Sequence, residues 1–130
     1  MINQQTFKKY AENPSAFRDD LLVDVSGSVH RFGAVMDDWQ RSDFESLDSA
    51  LKLCVGRSDT PAKTRAYFER ARGHSKTTDL AMMCCWAEAF ANRPIRGYCF
   101  AADKDQATIL KDAMATIIRL NPWLSNILSV

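Results

Sequence analysis

The sequence is poor in the residues that build cross-linked or metal-bound domains. Its 130 residues include only 4 cysteines, 2 histidines, 4 prolines and 5 glycines. So little glycine and proline excludes collagen and low-complexity disorder, and so little cysteine excludes a disulfide-dense secreted scaffold. The cysteines show no Cys-x-x-Cys spacing, which excludes a zinc or redox motif of that type. We expect Cys84 and Cys85, which lie in an apolar stretch, to be buried reduced thiols.

The sequence also lacks a long apolar run and an excess of either charge. Its longest apolar run, near residues 81–87, is far shorter than the ~18 residues that a membrane span needs. The N-terminus contains no apolar signal-peptide core, which argues against export and favours the cytoplasm. A formal net charge of +1 argues against a nucleic-acid coat protein. What remains, 46% hydrophobic and 25% charged, is typical of one soluble domain with its own core.

Charge is divided unevenly along the chain. Residues 1–50 carry five basic and nine acidic side chains, whereas residues 51–130 carry twelve basic and seven acidic ones. The basic side chains are densest in one stretch of the second half, at Arg57, Lys63, Arg65, Arg70, Arg72 and Lys76. Either a solvated face or an anion-binding site would explain this density, and the loop described below favours the anion site.

The first half of the chain predicts a helix, a small hairpin and a second helix, over residues 3–12, 21–25 with 28–32, and Asp37 to about Leu53. Asn13-Pro14 ends the first helix. Ser26-Gly27 supplies the turn of the hairpin. Apolar side chains at spacings of three to five residues indicate the second helix. We treat residues 1–64 as a mostly helical lead-in.

The second half predicts a strand, a loop, a helix, a strand and a helix, over residues 66–69, 70–75, 76–91, 97–102 and from Asp103 to Asn121. The first of these helices is apolar nearly all round after Asp79, so we expect it to be buried. Asp103 is placed to cap the last helix, with Gln106 three residues on. Strand–helix–strand–helix order implies two parallel strands with a right-handed crossover. We therefore expect an α/β fold in which a βαβα unit, residues 65–130, follows the lead-in.

The loop between the first strand and helix of this unit carries the candidate chemistry. It is compared with the phosphate-loop pattern G-x-x-x-x-G-K-[ST]. Lys76-Thr77 fits the end of the pattern, whereas Arg70 and Ser75 replace its two glycines. The predicted strand before the loop and the predicted helix after it are the context that the pattern requires.

A helix N-terminus in this position is suited to phosphate. Its unpaired backbone N–H groups and partial positive charge attract anions. Lys76 would reach the β and γ phosphates, the Thr77 hydroxyl would bind Mg²⁺, and Gly73 would let the backbone approach the ligand. The candidate phosphate-binding residues are therefore Arg70, Gly73, His74, Ser75, Lys76, Thr77 and Thr78. The alternative is an ordinary helix start that Thr77 and Thr78 cap.

Two segments resemble a known family. Arg70-Ala-Arg-Gly-His-Ser-Lys-Thr-Thr-Asp79, followed by an apolar helix and Gly97-Tyr-Cys-Phe-Ala-Ala-Asp-Lys-Asp-Gln-Ala107, is similar to the N-terminal ATPase region of tailed-bacteriophage terminase large subunits. These motors pump viral DNA into a capsid. The resemblance implies that Arg72 is a catalytic arginine finger acting in cis beside the catalytic Lys76. It also implies that Gln40, in a Trp-Gln segment, contacts the adenine.

The resemblance further implies ATP and Mg²⁺ as cofactors. It implies double-stranded DNA, a portal protein and a small terminase subunit as partners of a homo-oligomeric parent protein in the bacterial host cytoplasm. The family's ATPase domain also needs a buried apolar strand that ends in Asp-Glu, and no such run follows Ala102. We therefore expect an N-terminal fragment with a partial P-loop NTPase fold, which binds ATP weakly and hydrolyses it poorly. The alternatives are a small helical interaction domain with an incidental basic loop, and another P-loop nucleotide-binding protein such as a kinase.

Overall fold

The computed structural model describes residues 2–70, 76–101 and 103–128. Within these ranges the chain is mostly helical and carries a small antiparallel sheet. The elements are α1 (Gln4–Glu12), α2 (Pro14–Asp20), β1 (Leu22–Val25), β2 (Ser28–Arg31), α3 (Phe32–Val35), α4 (Asp38–Cys54), α5 (Lys76–Phe90), α6 (Lys104–Leu120) and a 3₁₀ helix (Pro122–Asn126).

The helices begin where side-chain caps are available. The Asn3 side chain caps α1, and the Asn13 side chain accepts backbone hydrogen bonds at the start of α2. Pro14 at the first position of α2 suits a helix start because the amide it lacks would be unpaired there. Asn13-Pro14 therefore ends one helix, as predicted, and begins another that the sequence did not predict. The predicted Asp103 cap is confirmed, since its side chain accepts from the Gln106 amide at 2.8 Å.

The predicted hairpin is confirmed. Strands β1 and β2 pair antiparallel, with Val25 opposite Ser28. Ser26 and Gly27, at φ 53° and 85°, supply the two left-handed residues that a tight two-residue turn needs. The outer backbone of β1 is bound to Asn121 after α6, which accepts from the Leu22 amide at 2.8 Å and donates to the Leu22 carbonyl at 3.0 Å.

The two strands predicted for the βαβα unit are not formed. Residues 66–69 and 97–101 lie outside regular secondary structure, and Ala102 is outside the described residues. A parallel strand needs a neighbour for its backbone and cover for both faces, and the described ranges supply neither. Tyr67, Tyr98 and Phe100 are instead 86%, 72% and 89% exposed. Within the described residues, the prediction of these two strands and of their parallel pairing was therefore wrong.

Helix α5 lies at the centre of the core, as its all-round apolar sequence predicted. Its fully buried side chains pack between α6 and the N-terminal helices, and they include Ala81, Met82, Cys85, Trp86 and Phe90. The Trp86 indole donates to the Tyr10 carbonyl at 2.9 Å, which joins α5 to α1. Burial raises the pKa of Cys85 to about 12, so this thiol stays neutral, as expected. Burial also raises the pKa of half-buried Cys84.

A buried ion pair fixes α4 against the N-terminal helices. Arg18 on α2 binds both carboxylate oxygens of Asp48 on α4, at 2.7 and 2.8 Å, and lies over the Phe44 ring at 4.4 Å. Such a bidentate pair sets the relative position of two helices more closely than apolar packing alone.

None of the helices within the described ranges is long and apolar enough to cross a membrane.

The contact between Tyr10 and Asp20 generates a pH prediction. Burial, together with the hydrogen bond it donates to Asp20 at 2.8 Å, raises the pKa of Tyr10 from 10.0 to about 12. A group whose pKa is raised by folding contributes stability that is complete below pH 10 and is lost as pH rises towards 12. In urea unfolding at a series of pH values, the stability difference between wild type and Tyr10→Phe should be constant from about pH 6, above the range in which Asp20 titrates, to pH 10, and should change between pH 10 and 12. Tyr67→Phe, at an exposed tyrosine, is the control and should show no such change. A Tyr10→Phe difference that stays constant up to pH 12 would contradict the assignment.

Candidate functional site

The candidate site is the N-terminal end of α5. This helix of 15 residues begins at Lys76, where the phosphate-loop pattern predicts a helix to begin. Thr77 and Thr78 lie half-buried in its first turn. Arg72, Gly73, His74 and Ser75 lie outside the described residues, and so does the side chain of Lys76. The described part of the site consists of Thr77, Thr78 and the residues that surround Asp79.

Asp79 is a buried carboxylate in the first turns of α5. It is 2% exposed, and both of its oxygens accept hydrogen bonds from Gln40 Nε2, at 3.1 and 3.2 Å. Its Oδ2 also accepts from Arg70 Nη1 at 2.6 Å. A buried carboxylate is tolerated only when charged or polar donors compensate for its lost hydration. Asp79 therefore joins Gln40, at the start of α4, and Arg70, in the chain before residue 71, to the start of α5.

The guanidinium of Arg70 joins its own segment of the chain to α4 and α5. Besides Asp79, it donates from Nη2 to Asp43 on α4 at 2.8 Å. The guanidinium also lies over the rings of Trp39, at 4.8 Å, and Phe68, at 6.0 Å. Burial acts against its charge, but hydrogen bonds to Asp43 and Asp79 outweigh this and raise the pKa of Arg70. Its Nε is buried without a hydrogen-bond partner among the described residues.

Gln40 is buried, and its side-chain amide is bonded at both ends. A glutamine on a helix surface is usually exposed to solvent, yet Gln40 is 5% exposed. Its Oε1 accepts from the Asp37 amide at 3.0 Å, which caps α4, while its Nε2 is bound to Asp79. Both ends of the side-chain amide are therefore used within the protein. Contact with an adenine would require Gln40 to exchange one of these partners.

The opposite ends of α4 and α5 are also joined. Arg93, after α5, donates to the Cys54 carbonyl at the end of α4, at 2.7 and 3.0 Å. Arg57, after α4, donates in return to the Phe90 carbonyl at the end of α5 at 2.5 Å. These contacts satisfy carbonyl groups that a helix end leaves unpaired. Because the two N-terminal ends meet at Asp79 and the two C-terminal ends meet here, α4 and α5 run parallel.

Sequence reasoning missed Asp43 and Asp79 as site residues. A signal was available for Asp79, because an uncharged run from Leu80 to Ala87 follows it. An acid beside such a run is drawn into the core with the apolar face and must find a cation or a polar donor. Asp43 gives no comparable signal, since it is one of several acidic residues on an amphipathic helix.

The chemistry that the sequence predicts for the start of α5 is anion binding. The first-turn N–H groups lack intrahelical partners and carry a partial positive charge. Arg70 contributes little further positive charge, because two carboxylates pair with it. Within the described ranges no three His, Cys, Asp or Glu side chains form a metal-binding group. The sequence assigns Mg²⁺ to the hydroxyl of Thr77, which is half-buried here, and that assignment stays a prediction.

The buried pair predicts unequal effects of two isosteric substitutions. Asp79→Asn should lower the free energy of unfolding by about 2–3 kcal/mol, because Arg70 loses its most buried charged partner. Asp43→Asn removes the other partner of the same guanidinium, but Asp43 is 32% exposed and the loss should be about 1 kcal/mol or less. Urea unfolding of both variants measures the difference. Equal losses would contradict the dominant role of Asp79.

Comparison of the chain with protein-family models, with curated proteins and with solved structures gives no match.

Proposed function

We propose that the N-terminal end of α5 binds the phosphates of ATP, and that the chain is the nucleotide-binding part of a DNA-packaging motor of the terminase large-subunit type. The observation that carries the proposal is the convergence at Asp79. Gln40 and Arg70, thirty residues apart and both suggested by sequence, contact the first turns of the helix that Lys76 begins. Two separate segments therefore meet at the helix N-terminus where a phosphate would bind.

Each group at this end would have a defined part in binding. The first-turn amides of α5 would donate to phosphate oxygens, and Lys76 would neutralise the terminal phosphates. Thr77 would hold Mg²⁺ through its hydroxyl. The resemblance assigns Arg72 to the γ-phosphate and assigns Gly73, His74, Ser75 and Thr78 to the loop around the phosphates. Because Asp43 and Asp79 pair with Arg70, this residue would hold the chain before residue 71 against α4 and α5 rather than supply positive charge to the phosphates.

The expected activity is nucleotide binding with little turnover. Phosphoryl transfer to water in P-loop enzymes requires an acidic residue for Mg²⁺ and a residue that orients the water. The sequence after Ala102 carries no apolar strand that ends in Asp-Glu to supply them. The partial P-loop fold is likewise proposed from the resemblance, and residues 66–69 and 97–101 form none of its strands in the structure. Contact with double-stranded DNA, a portal protein or a small terminase subunit, the homo-oligomeric parent and a place in the host cytoplasm are likewise proposed from the resemblance.

The rival function is a helical interaction domain. One observation favours it: large apolar side chains are exposed in the stretches where strands were predicted, including Tyr67, Tyr98 and Phe100. An interaction domain with an incidental basic loop would bind protein but would show no effect of ATP on its thermal unfolding.

The proposal predicts a specific loss of nucleotide binding in Lys76→Ala. Removal of this charge should weaken Mg·ATP binding at least about tenfold, equivalent to about 1.4 kcal/mol, in isothermal titration calorimetry. Lys104→Ala is a matched control, because Lys104 is the first residue of α6 as Lys76 is of α5. The control should bind like wild type. Equal affinities of wild type and Lys76→Ala, or steady hydrolysis well above that of Lys76→Ala, would contradict the proposal as stated.

A further inference from the structure

An open groove runs along α4 and α5, away from the N-terminal end of α5. Its volume is about 1000 Å³. The floor is formed by apolar side chains on successive turns of the two helices, including Leu47, Leu51, Leu80, Met83, Cys84 and Ala87. One wall is segment 61–68, which has no regular secondary structure and whose Tyr67 and Phe68 border the groove. We call this feature the α4–α5 groove.

The width of the α4–α5 groove is set by contacts at both of its ends. At one end Arg70 bridges Asp43 of α4 and Asp79 of α5. At the other end Arg93 and Arg57 bind the C-terminal carbonyl groups of α4 and α5. Because charged hydrogen bonds fix α4 and α5 at both ends, the two helices cannot move together and bury the apolar floor between them. The groove is therefore preformed, which lowers the cost of ordering it around a ligand.

The charged residues that line the α4–α5 groove are all basic. Lys63, Arg65 and Arg93 line it, whereas none of the lining residues is acidic. Lys63 and Arg65 are exposed and make no ion pair within the described part of the chain. Arg93 keeps its full positive charge, because its partners are carbonyl groups. An apolar floor with a cationic border is complementary to a ligand that is apolar on one side and anionic on the others.

We propose that the α4–α5 groove binds an acidic amphipathic helix of a partner protein. Leu47 and Cys54 both line the groove and lie about 10 Å apart along α4 at 1.5 Å per residue, so about two turns of helix would follow it. Apolar anchors at i, i+3, i+4 and i+7 would contact the floor, and flanking Asp or Glu would face Lys63 and Arg65. A single alkyl chain would leave much of so open a groove in contact with water, whereas a helix about 10 Å wide would cover it.

The test uses a fluorescein-labelled synthetic peptide of about 14 residues, with leucine at the helical anchor positions and glutamate elsewhere. Fluorescence anisotropy should show saturable binding that weakens as salt is raised. The double charge reversal Lys63→Glu with Arg65→Glu should weaken binding at least about tenfold, since like charges then face the peptide. Lys104→Glu with Lys111→Glu makes the same charge change on α6 and should leave binding within about twofold. A peptide with lysine in place of glutamate should not bind, and this result requires no protein variant.

Four outcomes would overturn the proposal. The first is no binding of the acidic peptide. The second is equal binding of a peptide with the same composition but scrambled leucines, which would indicate charge attraction alone. The third is binding of dodecanoate in the groove without binding of the peptide. The fourth is a dimer in sedimentation analysis that the peptide cannot displace, which would make a second copy the occupant. None of these outcomes depends on ATP binding, so the peptide and nucleotide proposals stand or fall separately.

Discussion

The compensated burial of the Asp79 carboxylate is the interaction on which the arrangement of the second half depends. A carboxylate with 2% exposure is stable only if donors replace its water, and Gln40 and Arg70 supply them. Meeting that requirement places the start of α4, the chain before residue 71 and the start of α5 at one point. Apolar packing alone would not do this, because α5 is apolar nearly all round and has no strong rotational preference.

The proposed nucleotide site and the proposed peptide groove both depend on the compensated burial of Asp79. At the N-terminal ends it brings Gln40 and Arg70 to the helix turn that the phosphate-loop pattern marks. Along the helices it combines with the arginine contacts at the C-terminal ends to keep α4 and α5 parallel and apart, which leaves the α4–α5 groove open. The proposed anion site thus lies at the N-terminal end of α5, whereas the proposed peptide groove lies along α4 and α5. The side chain of Gln40 takes part in the same contacts, and its contact with adenine stays a prediction.

Local features of this chain could be predicted from its sequence, and long-range pairings could not. The turn at Ser26-Gly27, the cap at Asp103 and the burial of α5 each depend on a few adjacent residues, and each was predicted. The strand predicted at residues 66–69 is not formed. Strand formation depends on a partner strand, which the local sequence pattern does not reveal. The Arg70–Asp79 and Arg18–Asp48 pairs were also missed, since many acids and arginines are available and only the fold selects among them.

The central claim is that a phosphate binds at the first turn of α5, and the backbone amides of that turn test it most directly. Nuclear magnetic resonance titration with Mg·ATP should shift the amide signals of Lys76, Thr77 and Thr78 saturably, because a phosphate oxygen becomes their hydrogen-bond acceptor. Adenosine, which has the base but no phosphate, should leave the three signals in place. Phosphate binding at the first turn of α5 would be contradicted if Mg·ATP left the three amide signals unmoved, or if adenosine shifted them as ATP does.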